Sequence, residues 1–305
     1  MPELPEVETV REGLERHVVG RTIRDVSVLR DYSVRRHEGG PHDFVDRLRG
    51  ETIEYVARRG KFLWLGFTGS DEALVGHLGM SGQLLVKDAN EQTEPHRHLR
   101  VRMTLEGSAH QPNRVFLDFV DQRTFGYLAV SDLAATPDEQ PGGLGTQYST
   151  VPDLLGHISR DLLDPTYGPE TPGRNLLNKK IRSKQAAIKR ILLDQSVVSG
   201  IGNIYADEAL WRARIHGERP ANKLTRKAVD ELLSHAHDVM SQALVQGGTS
   251  FDALYVNVNG ESGYFDRSLN AYGQEGHPCG RCGTTIERVM FMNRSSFFCP
   301  KCQRK

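Results

Sequence analysis

All four cysteines lie within the last 27 residues, spaced as Cys279-x2-Cys282-x16-Cys299-x2-Cys302. Two Cys-x-x-Cys knuckles at such an interval supply four thiolates to one tetrahedral zinc ion, the arrangement of a zinc ribbon. Two disulfides or a thioredoxin-like redox motif are the competing readings. Neither suits a chain that opens without a secretory signal and shows no βαβ pattern. So short a segment cannot bury a core of its own, and the metal is expected to be structural, not catalytic. Arg294, between the knuckles, is expected at a hairpin tip.

The rest of the 305 residues is long enough for two domains, each with a buried core. Val7, Val10, Leu14 and Val18 recur at helical spacing between Pro5 and Gly20, which predicts an amphipathic helix over Pro5 to Val19. Beyond it the apolar period changes to two. Thr52 to Ala57, Lys61 to Phe67, Ala73 to His77, Leu99 to Leu105, Val115 to Val120 and Tyr127 to Val130 read as strands, and so many short strands suggest a β-sandwich. Residues 136–152 collect Pro and Gly without apolar periodicity and read as a linker. Downstream, Lys184 to Asp194, Asn203 to Ala213 and Thr225 to Gln246 read as helices. The expectation is an α+β chain: an N-terminal β-sandwich with flanking helices over 1–135, a helical domain over 153–272 and the zinc finger over 273–305.

Thirty-nine basic residues balance 39 acidic ones, which at first argues against a polyanionic partner. The distribution says otherwise. Arg174, Lys179, Lys180, Arg182, Lys184, Lys189 and Arg190 form a stretch without an acid, and residues 279–305 carry six basic residues against Glu287 alone. A basic C-terminal half beside a more acidic remainder is the footprint of a nucleic-acid binder, with solvated helix faces as the bland alternative. Between two predicted helices lies Ser199-Gly200-Ile201-Gly202-Asn203, whose glycines permit close approach of another backbone. Asn203 is placed to cap the second helix, whose free N–H groups would suit a DNA phosphate. No run of about 18 apolar residues and no export signal is found, so a cytoplasmic protein without a membrane partner is expected.

The opening Met1-Pro2-Glu3-Leu4-Pro5-Glu6-Val7-Glu8-Thr9 resembles the start of the formamidopyrimidine-DNA glycosylase family. Gly60-Lys61, the run His77 to Gly82, the run Asp121 to Gly126, the run Gly200 to Glu208 and the zinc ribbon follow in the family's order. The resemblance implies a helix-two-turn-helix domain after the sandwich, one zinc ion, and damaged double-stranded DNA as the partner of a monomeric bacterial enzyme. It implies a bifunctional glycosylase and abasic-site lyase of base excision repair that removes oxidised purines. Pro2, freed by loss of Met1, would be the nucleophile forming a Schiff base, and Glu3 the acid that protonates the sugar ring oxygen, with Glu6 in the same cluster. Lys61 and Arg294 join them in the catalytic group as phosphate contacts, and strand cleavage proceeds by β,δ-elimination. Met80, Arg123 and Phe125 would fill the void left by the extruded nucleotide, and Asn203 and Lys184 would bind DNA. Gly247 to Tyr272 resembles a loop that covers the flipped purine. Two alternatives stand beside this reading: the endonuclease VIII branch, which prefers oxidised pyrimidines, and a catalytically silent DNA-binding protein, which would not need Pro2 and Glu3 together.

Overall fold

The computed structural model describes residues 2–91, 94–108, 110–247, 258–259 and 269–305. These fall into two compact units. The first holds Pro2, the described residues of 6–157, and 258–259; the second holds 3–5, 158–247 and 269–305. Among the described residues no helix is long and apolar enough to cross a membrane.

Helix α1 (Leu4–Val18) runs on from the chain start and belongs to the first unit from Glu6 onward. Glu6 in its first turn and Arg16 and His17 in its last complement the helix dipole. Val7, Val10, Leu14 and Val18 are buried, as their spacing requires, and Gly20 leaves the helix at a φ of 80°. Eight of the strands that follow are β1 (Ile23–Val28), β2 (Ile53–Arg59), β3 (Phe62–Phe67), β4 (Glu72–His77), β5 (Gly82–Asp88), β6 (Leu99–Leu105), β7 (Val115–Asp121) and β8 (Tyr127–Ala135), with helix α2 (Gly40–Leu48) after β1. A short ninth, β9 (Thr150–Pro152), completes two antiparallel sheets of order β1-β6-β7-β5 and β2-β3-β4-β8-β9. Val26, Val101, Met103 and Leu117 from one sheet and Val56, Leu63, Leu74 and Leu128 from the other share a single apolar core. This is the expected β-sandwich.

Strand β6 shows why its sequence is readable. Leu99, Val101, Met103 and Leu105 are buried while Arg100, Arg102 and Thr104 alternate outward, and Arg102 grips Asp118 with two bonds of 2.7 Å. Strand β1 is not readable in this way, because its buried residues Ile23 and Val26 stand three apart, off the period of two.

Residues 136–152 are not a linker. They end in β9, which pairs with β8, and Leu144 exchanges backbone hydrogen bonds with Arg58 at 2.9 Å in each direction. The physical reason is that the glycines serve close approach. A Cβ on Gly142 would lie 1.8 Å from the Thr150 carbonyl oxygen, and one on Gly143 2.3 Å from that of Arg58. The units divide after His157.

The second unit is helical, with α3 (Pro172–Arg182), α4 (Ile188–Leu192), α5 (Asn203–Ala213) and α6 (Arg226–Val245) around a core that includes Leu4, Ile181, Ile191, Tyr205, Leu210, Leu232 and Met240. Helix α4 is shorter than the predicted Lys184 to Asp194, since the Ile188 and Lys189 N–H groups bond the Arg219 and Gly217 carbonyls of a neighbouring loop. Helix α3 escaped notice because Arg174 and Asn178 share its buried face with Leu177 and Ile181. The tail folds as a hairpin of β10 (Glu287–Phe291) and β11 (Arg294–Phe298).

Candidate active site and nucleic-acid interface

The chain start is anchored from its third residue. The buried Glu3 carboxylate accepts backbone N–H bonds from Gly202 at 2.7 Å, Ile204 at 2.8 Å and Tyr205 at 3.3 Å. The next residue, Leu4, donates its N–H to the Gly200 carbonyl at 3.1 Å and buries its side chain. Both glycines are required. A Cβ on Gly202 would fall 2.3 Å from the Glu3 carboxyl carbon, and one on Gly200, itself at a φ of 88°, 2.5 Å from a Leu4 methyl. The free donors at the start of α5 therefore do receive an acidic group, as their chemistry predicts, and within the chain that group is the Glu3 carboxylate. Asn203 is not the cap. Gly202 occupies that position, and the Asn203 amide donates to the Ser295 carbonyl at 2.7 Å, beside Arg294.

Helix α5 also carries the zinc ribbon. The Asp207 carboxylate accepts from the Phe297 N–H at 2.9 Å and the Ser296 hydroxyl at 3.1 Å, and pairs with the fully buried Lys189 ammonium at 2.6 Å. Burial pushes the Asp207 carboxyl up to about 6 against the opposing pull of Lys189, and burial likewise pulls the Lys189 ammonium down. The next residue, Glu208, accepts the N–H groups of Asn270, Ala271 and Tyr272 at 2.7–3.1 Å, and one turn on the Trp211 indole N–H lies 3.4 Å from the Cys279 sulfur. These acids were missed; the signal available was two adjacent carboxylates, Asp207 and Glu208, within a run of otherwise apolar helix. Two members of the basic stretch must also be removed from the DNA-facing account. Lys189 is committed to Asp207, and the buried Arg174 donates to the Asp230 carbonyl at 2.8 Å and the Ser234 hydroxyl at 3.0 Å. Lys184 is half-buried ahead of α4, within electrostatic reach of Asp194.

The four cysteine sulfurs lie within 4.8 Å of one another. Zinc–thiolate bonds of about 2.3 Å in a tetrahedron put sulfurs about 3.8 Å apart, so this cluster fits one zinc ion after small adjustment. At the hairpin tip Met292 and Asn293 both have positive φ, 47° and 60°, as a two-residue turn matched to strand twist demands. Arg294 follows immediately and is exposed, at the predicted tip.

The first unit gathers the three proposed void-filling residues on two loops. Met80 lies in the β4–β5 turn, while Arg123 and Phe125 lie between β7 and β8. Buried Ser81 and Asp121 lock the loops together. Ser81 donates to Asp121 at 2.6 Å and accepts the Arg123 N–H at 2.8 Å, and the other Asp121 oxygen accepts the Gly126 N–H at 2.8 Å. Arg35 grips the same turn through the Gly126 and Phe125 carbonyls at 2.8 and 3.0 Å. Gly79 permits the contact, since a Cβ there would lie 2.4 Å from the Gly126 nitrogen. Phe125 is 55% exposed, Arg123 exposed and Met80 half-buried, so this is not a core cluster. Lys61 is buried, contrary to what a lysine in a turn suggests, and follows Gly60, which takes a φ of 59°. Nearby His77, stacked on Phe62 at 4.6 Å, is held neutral down to about pH 4 by burial first and then by the charges of Lys61 and Arg35. The segment Gly247 to Tyr272 lies largely outside the described residues.

Known proteins share these features in the same order. Residues 1–128 match the formamidopyrimidine-DNA glycosylase N-terminal domain, residues 163–253 the H2TH domain of the same enzymes, and residues 276–304 the zinc finger found in FPG and IleRS. A formamidopyrimidine-DNA glycosylase of Streptomyces coelicolor is 54% identical over 304 residues, which cover 100% of this chain and 98% of the relative. One from a Nocardioides strain is 56% identical over 303 residues, covering 99% and 94%. The chain belongs to the formamidopyrimidine-DNA glycosylase family. Membership makes it a DNA glycosylase of base excision repair with an N-terminal β-sandwich, an H2TH domain and a zinc finger. Among solved structures of the family, a Lactococcus lactis Fpg bound to abasic-site DNA matches with a TM-score of 0.78 at 29% identity, over 99% of this chain and 100% of that one. The same Lactococcus protein bound to Fapy-dG DNA matches equally, at 0.78 and 29%, with the same coverage.

Proposed function

We propose that this glycosylase is bifunctional, excising oxidised purines from damaged double-stranded DNA and then cleaving the strand as an abasic-site lyase. Removal of Met1 frees the Pro2 nitrogen as a secondary amine. It attacks C1′ of the damaged nucleotide, the glycosidic bond breaks, and proton transfer through Glu3 to the ring oxygen opens the sugar. The proton released from the Pro2 nitrogen on attack balances the one delivered to the ring oxygen, which becomes the C4′ hydroxyl as the nitrogen lone pair forms the iminium at C1′. The iminium acidifies the C2′ proton, and its removal expels the 3′ phosphate; a second elimination expels the 5′ phosphate. Lys61 and Arg294 neutralise the phosphates flanking the lesion, with Asn203 and Lys184 as further contacts. Met80, Arg123 and Phe125 replace the stacking lost on extrusion, which costs a few kcal/mol.

One observation carries this reading: the seating of Glu3 and Leu4 on Gly200 to Tyr205, which fixes the chain immediately after Pro2. A solvated terminus would have to be ordered at every encounter with substrate, whereas an anchored one presents its nitrogen already oriented. The substrate class is supported by the name borne by the relatives and by the Fapy-dG in the complex of the structural neighbour. Borohydride reduction on a duplex carrying 8-oxoguanine tests the reading, since it converts the iminium into a stable protein–DNA adduct. Excision of 8-oxoguanine compared with that of thymine glycol tests the purine preference.

A further inference from the structure

The Gly60–Lys61 turn joins β2 to β3, and buried groups close on it from two directions. Arg58 is fully buried, with its Nε donating to Glu8 at 2.6 Å and its Nη1 to the Gly60 carbonyl at 3.0 Å. The other Glu8 oxygen accepts from Arg11 at 2.7 Å, so a carboxylate on α1 is tied through one guanidinium to the turn itself. From the second direction come residues 141–145. Leu144 exchanges two backbone bonds with Arg58, and the Arg59 guanidinium donates to the Gly142 carbonyl at 2.7 Å. On Gly143 a Cβ would meet the Arg58 carbonyl oxygen at 2.3 Å and the Trp64 ring at 2.7 Å, and on Gly145 it would meet the Val56 carbonyl oxygen at 2.3 Å. Pro-Gly-Gly-Leu-Gly is here a strap with fixed contacts.

We propose that the strap of residues 141–145, together with the Glu8–Arg58 pair, is the positioning device for Lys61, setting the direction in which its ammonium is presented to DNA phosphate. The proposal rests on the reading of Lys61 as a phosphate ligand. A buried ion pair adds little net stability over apolar residues of the same volume, so stability alone does not account for this one. What a planar guanidinium bonded to both Glu8 and Gly60 supplies is direction. Lys61 is itself buried, and a two-residue turn passes any shift of β2 directly to it. Arg58, Glu8 and the strap act through Lys61 and touch no substrate.

The test is the salt dependence of binding to duplex DNA containing an abasic-site analogue. Lys61→Ala should lower the slope of log K against log salt by about 0.9, the loss of one phosphate contact. Gly143→Ala, at a position outside the left-handed region and so acting through space alone, should lower it by the same amount. The double variant should show no further loss, because both changes remove one contact. Arg58→Lys, which keeps the buried charge but drops the double link to Glu8 and Gly60, should repeat the result if Gly143→Ala does not fold. A wild-type slope in folded Gly143→Ala and Arg58→Lys, or a second full loss in the double variant, would overturn the proposal while leaving Lys61 its phosphate. A wild-type slope in Lys61→Ala would remove the phosphate reading and this inference with it.

Discussion

The Glu3 carboxylate accepts the Ile204 N–H at 2.8 Å, joining residues 201 positions apart and seating a carboxyl group on the first turn of α5. Each bond to Glu3 needs an acceptor, and the carboxylate supplies two oxygens where a carboxamide would supply one and turn an NH2 toward backbone donors. Glu3→Gln is therefore expected to lower stability by about 1–3 kcal/mol, the cost of leaving a buried donor unpaired. It should also abolish excision of 8-oxoguanine while retaining cleavage at a preformed abasic site, where the aldehyde is already an electrophile. Denaturant unfolding and paired activity assays check both. Equal loss of the two activities would deny Glu3 its separate part in breaking the glycosidic bond.

His77 supplies a pH prediction. Its folded pKa, about 4, lies below the ordinary 6.5 because burial and the charges of Lys61 and Arg35 oppose protonation. Between those values the unfolded chain binds the proton and the folded chain does not, so stability should rise with pH from about 4 to 6.5 and be fully present above it. Thermal unfolding across this range should show a steeper rise in the wild type than in His77→Phe. Lys61→Ala should also move the His77 titration upward in NMR spectra. A His77 that titrates near 6.5 in the folded protein would contradict both.

Much of this architecture was legible in the chain, and what was not has physical causes. Strands β3, β6 and β7 advertise themselves through apolar residues that alternate or run together. The zinc cysteines do so through spacing, and the hairpin tip at Arg294 follows from them. Composition misled at residues 136–152, because glycine placed for close packing reads the same as glycine placed for flexibility. It misled again at Arg174 and Lys189, because a count of charges does not distinguish a buried ion pair from a basic face. The group on α5 was legible as acidic, but its identity as Glu3 depends on a contact between the two ends of a long loop in sequence, which no local pattern encodes.

Zinc removal should reach further than the hairpin. Taken alone, the ribbon's spacing suggests that its loss would remove Arg294 from DNA and leave the Pro2 chemistry intact. Helix α5, however, binds Glu3 at its start and the ribbon through Asp207 and Trp211. Chelation, or Cys279→Ser, is therefore expected to weaken DNA binding strongly and also to slow borohydride trapping on substrate held at saturating concentration. Metal analysis should return one zinc per chain in the active protein. Active protein without zinc, or trapping at saturation unaffected by its removal, would refute this coupling.

Arg294→Ala isolates the tip from the ribbon's structural role. The side chain is exposed, so the substitution should leave melting unchanged within about 0.5 kcal/mol. The salt slope of DNA binding should fall by about 0.9. An unchanged slope would place the DNA-facing surface of the ribbon elsewhere.

The central claim is that the Pro2 nitrogen forms the covalent bond to C1′. An amide nitrogen has no nucleophilic lone pair, so protein that retains Met1 or carries any N-terminal extension should not be trapped by borohydride, whereas processed protein should be. Pro2→Gly should keep some trapping, since a primary amine still forms an imine. The most direct measurement is mass mapping of the reduced adduct formed by processed protein on an 8-oxoguanine duplex. The account predicts the sugar remnant on the N-terminal peptide, at Pro2; an adduct on Lys61, or on any other residue, would contradict it.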